Sequence, residues 1–335
     1  MANSALHVDV LRGGLVESRH RVHAVVADAA GRLVWAAGDA GLVTFVRSAI
    51  KMFQALPLVE DGGVERYGLT AAEIAITTAS HGGEPFHIDT VRALLGKTGC
   101  TEEMLACGPH PPMHQASAGA LGTGGITPGR IHNNCSGKHA GMLALAGLHG
   151  WPRAHYQLLA HPVQSRVLAT LAEWTGVPHE AIGCAVDGCG LPTFALPLDA
   201  MARGCARLSA AAARGDEAPA RVLGAMTAHP EYVAGTDRLC TDLMRAAGGR
   251  LWAKVGAEGY YCAGVPDRGL GLALKVEDGA WRAVEPALLA VLGEAGALDD
   301  EVLAALEQYA TPTITNTRGE RVGAIRVHRS GETRP

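Results

Sequence analysis

The sequence predicts an α+β fold, with one sheet formed from both chain ends and packed against a largely helical middle region. Three observations carry this. Strand-like runs concentrate at the two ends, in 22–37 and again in 251–282 and 323–328. The stretch between them reads mainly as successive helices. The regular strand–helix alternation of a doubly wound fold is absent. The expected organisation is a single domain over 1–335, with a sheet-containing part at about 1–65 and 250–335 and a mainly helical part at about 66–249.

In chain order, residues 22–37 (VHAVVADAAGRLVWAA) read as a hairpin, two apolar runs around Asp28-Ala29-Ala30-Gly31. A helix is predicted from about Ser48 to Glu60, stopping before Gly62-Gly63. Another follows from about Thr70 to Ile76, then the loop Thr77–Gly83, then a helix from about Glu84 to Lys97. Residues 108–136 are rich in Gly, Pro, His and Asn and are expected to be irregular. A loop that long inside a compact protein is usually functional or disordered. A strongly apolar helix follows at about Lys138–Leu148, with further helices at 162–175, 198–213, 217–228 and 236–247 and a strand at 182–187. Within 251–282, the runs LWAKVGA, YYCAGV, LGLALKVED and AWRAV read as strands. Two helices cover about 285–309, and GAIRVH (323–328) reads as the last strand. The glycine-rich Gly122–Gly129 lacks Gly-Lys-Ser/Thr, so it is neither a P-loop nor a dinucleotide fingerprint.

Composition narrows the function classes. The 335 residues are 48% apolar and 19% charged, with a formal charge of −4 and no long basic run. Nucleic acid and anionic membrane surfaces are therefore not expected partners. Aromatics make up 4% while glycine numbers 43, so the core must be packed from small side chains. No segment offers about 18 uninterrupted apolar residues. Met1–Arg12 lacks a basic stretch leading into an apolar run, so no signal peptide is expected and a cytoplasmic location is. The eight cysteines are scattered, which in a reducing cytosol suggests thiols.

The sharpest local feature is Arg47-Ser48-Ala49-Ile50-Lys51. Residues at i and i+3 share a helix face, so the Ser48 hydroxyl and Lys51 amine can meet. A lysine on an apolar face loses hydration, which lowers its pKa and leaves an amine able to accept the serine proton. The helix N-terminus adds donors for a developing oxyanion. This is the S-x-x-K arrangement of penicillin-binding proteins and serine β-lactamases. The same four residues also describe a helix cap followed by a solvent-facing lysine.

Four glycine-flanked polar clusters accompany it: Ser80–Gly83, Asn133–His139, Asp187–Pro192 and Lys254–Gly259. Polar residues set among glycines suggest close backbone approach to a ligand. With these, RSAIKMFQ, SHGGEPFH, HNNCSGKHAGMLA, DGCGLPTFALPL, HPEYVAG and KVGAEG resemble the signature blocks of the rhizobial-type (class 3) L-asparaginases. The likeness runs from the first hairpin to Asn316–Gly323.

That resemblance implies a fold similar to serine β-lactamases and glutaminases, a homodimer, and hydrolysis of L-asparagine to L-aspartate and ammonia. It implies two Ser-Lys pairs, Ser48 with Lys51 and Ser80 with Lys254, Ser48 being the nucleophile. It also implies a zinc site on Cys135, Lys138 and Cys189, with a structural or substrate-positioning role. Arg47, Asn134, His139 and Asp187 would bind substrate or orient groups around it. From spacing alone, Cys135 and Cys189 read as buried thiols or a redox-sensitive pair, and it is the resemblance that points to zinc. The β-lactamase S-D-N and K-T-G blocks are not apparent, which argues against a cell-wall or antibiotic substrate. The rival activities are a glutaminase or broader amidase, a Ser-Lys esterase or peptidase, and a non-catalytic zinc or amino-acid sensor.

Overall fold

The computed structural model describes residues 4–329. Its strands are β1 (Leu6–Arg12), β2 (Leu15–Asp28), β3 (Leu33–Ala37), β4 (Val43–Phe45), β5 (Gly183–Val186), β6 (Pro192–Pro197), β7 (Trp252–Val255), β8 (Tyr260–Val265), β9 (Leu270–Val276), β10 (Thr313–Thr315) and β11 (Arg321–Arg329). The main sheet runs β10-β11-β1-β2-β9-β8-β7, with β3 also on β2, and its pairings are antiparallel. Both chain ends therefore share one sheet, and the α+β class predicted from sequence is observed. A second, three-stranded sheet has the order β4-β6-β5.

Helices cover the main sheet on both faces. Gly271 on β9 lies so close to the helix Leu198–Ala213 that a Cβ there would stand 2.1 Å from Ala206 N. The alternate residues Val26, Leu272 and Ala263 point the other way. With Leu292 of the helix Trp281–Glu294 they line a small apolar cavity. The helices Leu239–Ala246 and Glu217–Ala228 pack against the edge strand β7, and the buried apolar side chains form one continuous cluster. Among the described residues no helix is long and apolar enough to cross a membrane.

The helices Pro162–Thr175, Leu198–Ala213 and Glu217–Ala228 fall where predicted. Other expectations are corrected. AWRAV is not a strand but the first turn of the helix Trp281–Glu294. The five-residue window suggests alternation, whereas Ala283, Val284, Ala287, Leu288 and Val291 continue a helical spacing of three and four. Residues 108–136 are not wholly irregular, for they contain the helix Gln115–Thr123 and a 3₁₀ turn at Arg130–His132. The predicted helix from Ser48 divides into a 3₁₀ turn, Arg47–Ile50, and an α-helix, Lys51–Glu60. The helical middle also supplies β6, bounded by Pro192 and Pro197. A strand can begin on a proline, whose missing N–H then costs no ladder bond.

Candidate active site

Four chain segments converge beside β7. The chain leaves β4 and enters the 3₁₀ turn Arg47–Ile50 carrying Ser48. The helix Ala71–Thr77 starts on a capping box made by Thr70 and Glu73 and delivers Ser80 just past its end. The helix Ser136–Leu148 opens with Cys135 at its N-cap and Lys138 in its first turn. Asp187 and Cys189 follow β5, and Lys254 lies on β7 itself. Two glycines permit this convergence. A Cβ at Gly137 would stand 2.2 Å from the Ile76 carbonyl, so the two helices meet backbone to backbone. A Cβ at Gly256 would stand 2.9 Å from Val46 O and 3.4 Å from Ala49 Cβ, which seats the end of β7 against the Ser48 turn.

The chain has five lysines, and three of them, Lys51, Lys138 and Lys254, are buried here. Lys51 Nζ lies 2.5 Å from Ala79 O, 3.0 Å from Ser80 Oγ and 3.1 Å from Cys135 Sγ. Lys254 Nζ lies 2.9 Å from Ser80 Oγ and 2.9 Å from Val255 O. The Ser80 hydroxyl is thus held between two amines. Burial lowers the pKa of Lys51 and drives that of Lys254 well down, with the charge of Lys51 adding to the effect on Lys254. Two amines bonded to one hydroxyl cannot both be comfortably charged in a dry interior.

Ser48 stands differently. Its carbonyl accepts the Lys51 backbone N–H, fixing the two residues one 3₁₀ turn apart. The Lys51 amine is directed to Ser80, and no described hydrogen bond joins it to Ser48 Oγ. Ser48 itself is half-buried and Ser80 buried. Arg47 has φ 49°, an unusual conformation for a non-glycine residue, and is held by its ion pair to Asp187 at 2.7 Å. Its guanidinium therefore already has a carboxylate partner.

Beside the lysines lies a sulfur pair. The interaction between Cys135 and Cys189 comes first in pushing Cys135 up to about 12 and Cys189 down to about 5. Lys138 Nζ lies 3.4 Å from Cys189 Sγ. Burial opposes its charge, but the sulfurs and Asp187 outweigh it and its pKa is raised. Burial likewise opposes ionisation of Asp187, yet Lys138 and Arg47 hold its pKa below normal. Asn134 is outside this network: its side chain donates to Met113 Sδ at 3.3 Å, and its carbonyl accepts from His81 N. His139 Nδ1 meets the hydroxyl of Tyr156 at 2.6 Å. Sequence reasoning missed Tyr156, which lies in no polar cluster and is placed only by the fold.

The donor set suits a tetrahedral zinc. Zn–S near 2.3 Å and Zn–N near 2.0–2.1 Å place S and N ligands about 3.5 Å apart, close to the separation of Cys189 and Lys138. Among the described residues no three His, Cys, Asp or Glu side chains are grouped as a metal site, so a metal here needs the lysine as a ligand. A ligating lysine is neutral, whereas the sulfurs and Asp187 favour a protonated Lys138 that balances the Cys189 thiolate. A divalent cation would take over that balancing charge and expel the proton.

The sequence pattern of the L-asparaginase II family matches residues 8–327. This chain belongs to the L-asparaginase II family. That family consists of hydrolases acting on amides. No curated protein matches the chain. Among solved structures, "Mglu in its native form in the presence of 4.3M NaCl" is 16% identical, with a TM-score of 0.37 over 83% of this chain and 61% of that one. "Mglu in its tris and glutamate form" is also 16% identical, with a TM-score of 0.37 over 89% of this chain and 63% of that one. The asparaginase II chain thus spans about three fifths of the length of the solved structures it matches.

Proposed function

We propose that this chain hydrolyses L-asparagine to L-aspartate and ammonia through a seryl ester. The observation that carries the reading is the Ser80 hydroxyl held between the amines of two fully buried lysines, directly behind the Ser48 turn. A pure binding site has no use for such a group, because burying two amines costs stability and supplies only basicity. Ser48 Oγ attacks the side-chain amide carbon, and its proton passes to Lys51. The Lys51–Ser80–Lys254 chain carries that proton to the departing nitrogen, which leaves as ammonia. Water then opens the ester, and the proton it gives up returns through the same chain to Ser48 Oγ.

Arg47 and Asp187 line the mouth as a pair. Asp187 can accept from the substrate's α-ammonium, while Arg47 keeps donors for the α-carboxylate. Cys135, Lys138 and Cys189 would hold zinc, whose positive charge would help position the substrate. The same reading makes the protein a cytoplasmic homodimer, which sedimentation of the purified chain tests.

One observation favours a second assignment. Because the Lys51 amine bonds Ser80 rather than Ser48, Ser80 could be the nucleophile, with both lysines as its bases. Ammonia release from L-Asn and L-Gln, with and without a chelator, tests the activity and separates asparaginase from glutaminase or broader amidase. One methylene distinguishes the two substrates, worth roughly 1–3 kcal/mol. Trapped ester on Ser48 supports the first assignment, and trapped ester on Ser80 the second. Tight asparagine binding with no ammonia released would identify a sensor instead.

A further inference from the structure

Tyr156 is buried and its hydroxyl has two neighbours: it accepts from Ala106 N–H at 2.8 Å, and it lies 2.6 Å from His139 Nδ1. A phenol carries one proton, and a backbone N–H can only donate. Were the His139 Nδ1 position also a donor, the oxygen would accept twice and its own proton would be left buried without a partner, a costly arrangement. The Tyr156 proton therefore goes to Nδ1, and the neutral imidazole carries its own proton on Nε2. That Nε2 is buried and has no partner among the described residues. Buried donors are seldom left unmatched. The ring is packed edge-on against Tyr156, with ring centroids 5.6 Å apart, and its ionisable neighbours are Lys138, Cys135, Lys51 and Asp187. An unmatched donor in that company is one held open for a ligand.

We propose that Tyr156 is a positioning residue that locks His139 as the Nε2–H tautomer, so that Nε2–H donates to an oxygen of the bound amino acid. The ligand class rests on the proposed asparaginase reading, but the lock does not.

The test is long-range ¹H–¹⁵N NMR of histidine-labelled protein, wild type and Tyr156→Phe, with and without L-aspartate, together with steady-state kinetics. The wild-type His139 spectrum should show a single Nε2–H tautomer, and added L-aspartate should move that proton downfield. Tyr156→Phe should give mixed tautomers and raise KM for L-asparagine about tenfold with little change in kcat, the effect of one weakened hydrogen bond. A wild-type Nδ1–H tautomer overturns the proposal, as does a folded Tyr156→Phe enzyme with unchanged tautomer and KM. Should Tyr156→Phe not fold, the wild-type spectrum decides by itself. His139→Gln, which keeps an N–H donor, should then retain more L-aspartate affinity than His139→Leu, and equal losses count against the donor role. A locked tautomer in a protein that releases no ammonia would sink the asparaginase reading and leave the lock standing.

Discussion

Lys51 and Lys254 are fully buried, and among the described residues neither pairs with a carboxylate. Desolvation outweighs the opposing pull of the nearby cysteine sulfurs, which is why both pKa values fall below the ordinary lysine value. A base of this kind works only when neutral, so kcat/KM should rise with pH through the depressed lysine pKa and then level. Lys51→Met should lower kcat by on the order of 10³-fold, and Lys51→Arg should not restore it, because a guanidinium does not deprotonate. Steady-state kinetics from pH 5 to 10 check both, and a flat profile with a mild Lys51→Met effect would contradict the assignment. At this scale the sequence was informative but incomplete. It marked Ser48, Lys51 and Ser80 by spacing and glycine context. It paired Lys51 with Ser48 because i and i+3 share a helix face, whereas the amine reaches across to Ser80, a contact made by two separate helices.

At the scale of elements, the site depends on how closely helices approach. Gly137→Ala would drive a methyl into the Ile76 carbonyl and separate the helices that carry Lys138 and Ser80. Overpacking of this kind costs about 1–3 kcal/mol, and here activity should fall with stability. Thr70→Ala is the contrasting case. It removes the capping box of the helix Ala71–Thr77, an acceptor for Glu73 N, far from the reacting groups. It should cost about 1 kcal/mol in denaturant unfolding while leaving kcat within about twofold. Loss of kcat in Thr70→Ala, or an unaffected Gly137→Ala, would show that helix approach does not set the site. Helix positions were readable because the apolar spacing is long and regular. The strands β4 and β6 were not, being three and six residues long, the second with a proline at each end, and too short for a periodicity to register.

For the whole molecule, two groups of buried charge bias stability in opposite directions. Glu285 is raised to about 7 by burial. Its contribution is complete below the ordinary carboxyl value and is lost as pH rises through about 7, because the unfolded chain ionises first. Lys51 and Lys254 are depressed, so they favour the fold above the ordinary lysine value and withdraw that support as pH falls through their folded values. Glu285→Gln should therefore flatten the decline in Tm between pH 5 and pH 8. An unchanged pH profile would mean Glu285 is not desolvated. The overall layout was legible because apolar runs at both ends have to share one sheet. The way four distant segments close around β7 was not, since nothing in local spacing says which glycines will touch.

The central claim is that lysines stripped of water supply the base. With only five lysines in the chain, ¹³C labelling at Cε gives a spectrum of five resonances, assignable with Lys51→Met and Lys254→Met. The account predicts that Lys51 titrates below the ordinary value of about 10.4 and Lys254 well below it. Both titrating at that ordinary value would contradict it.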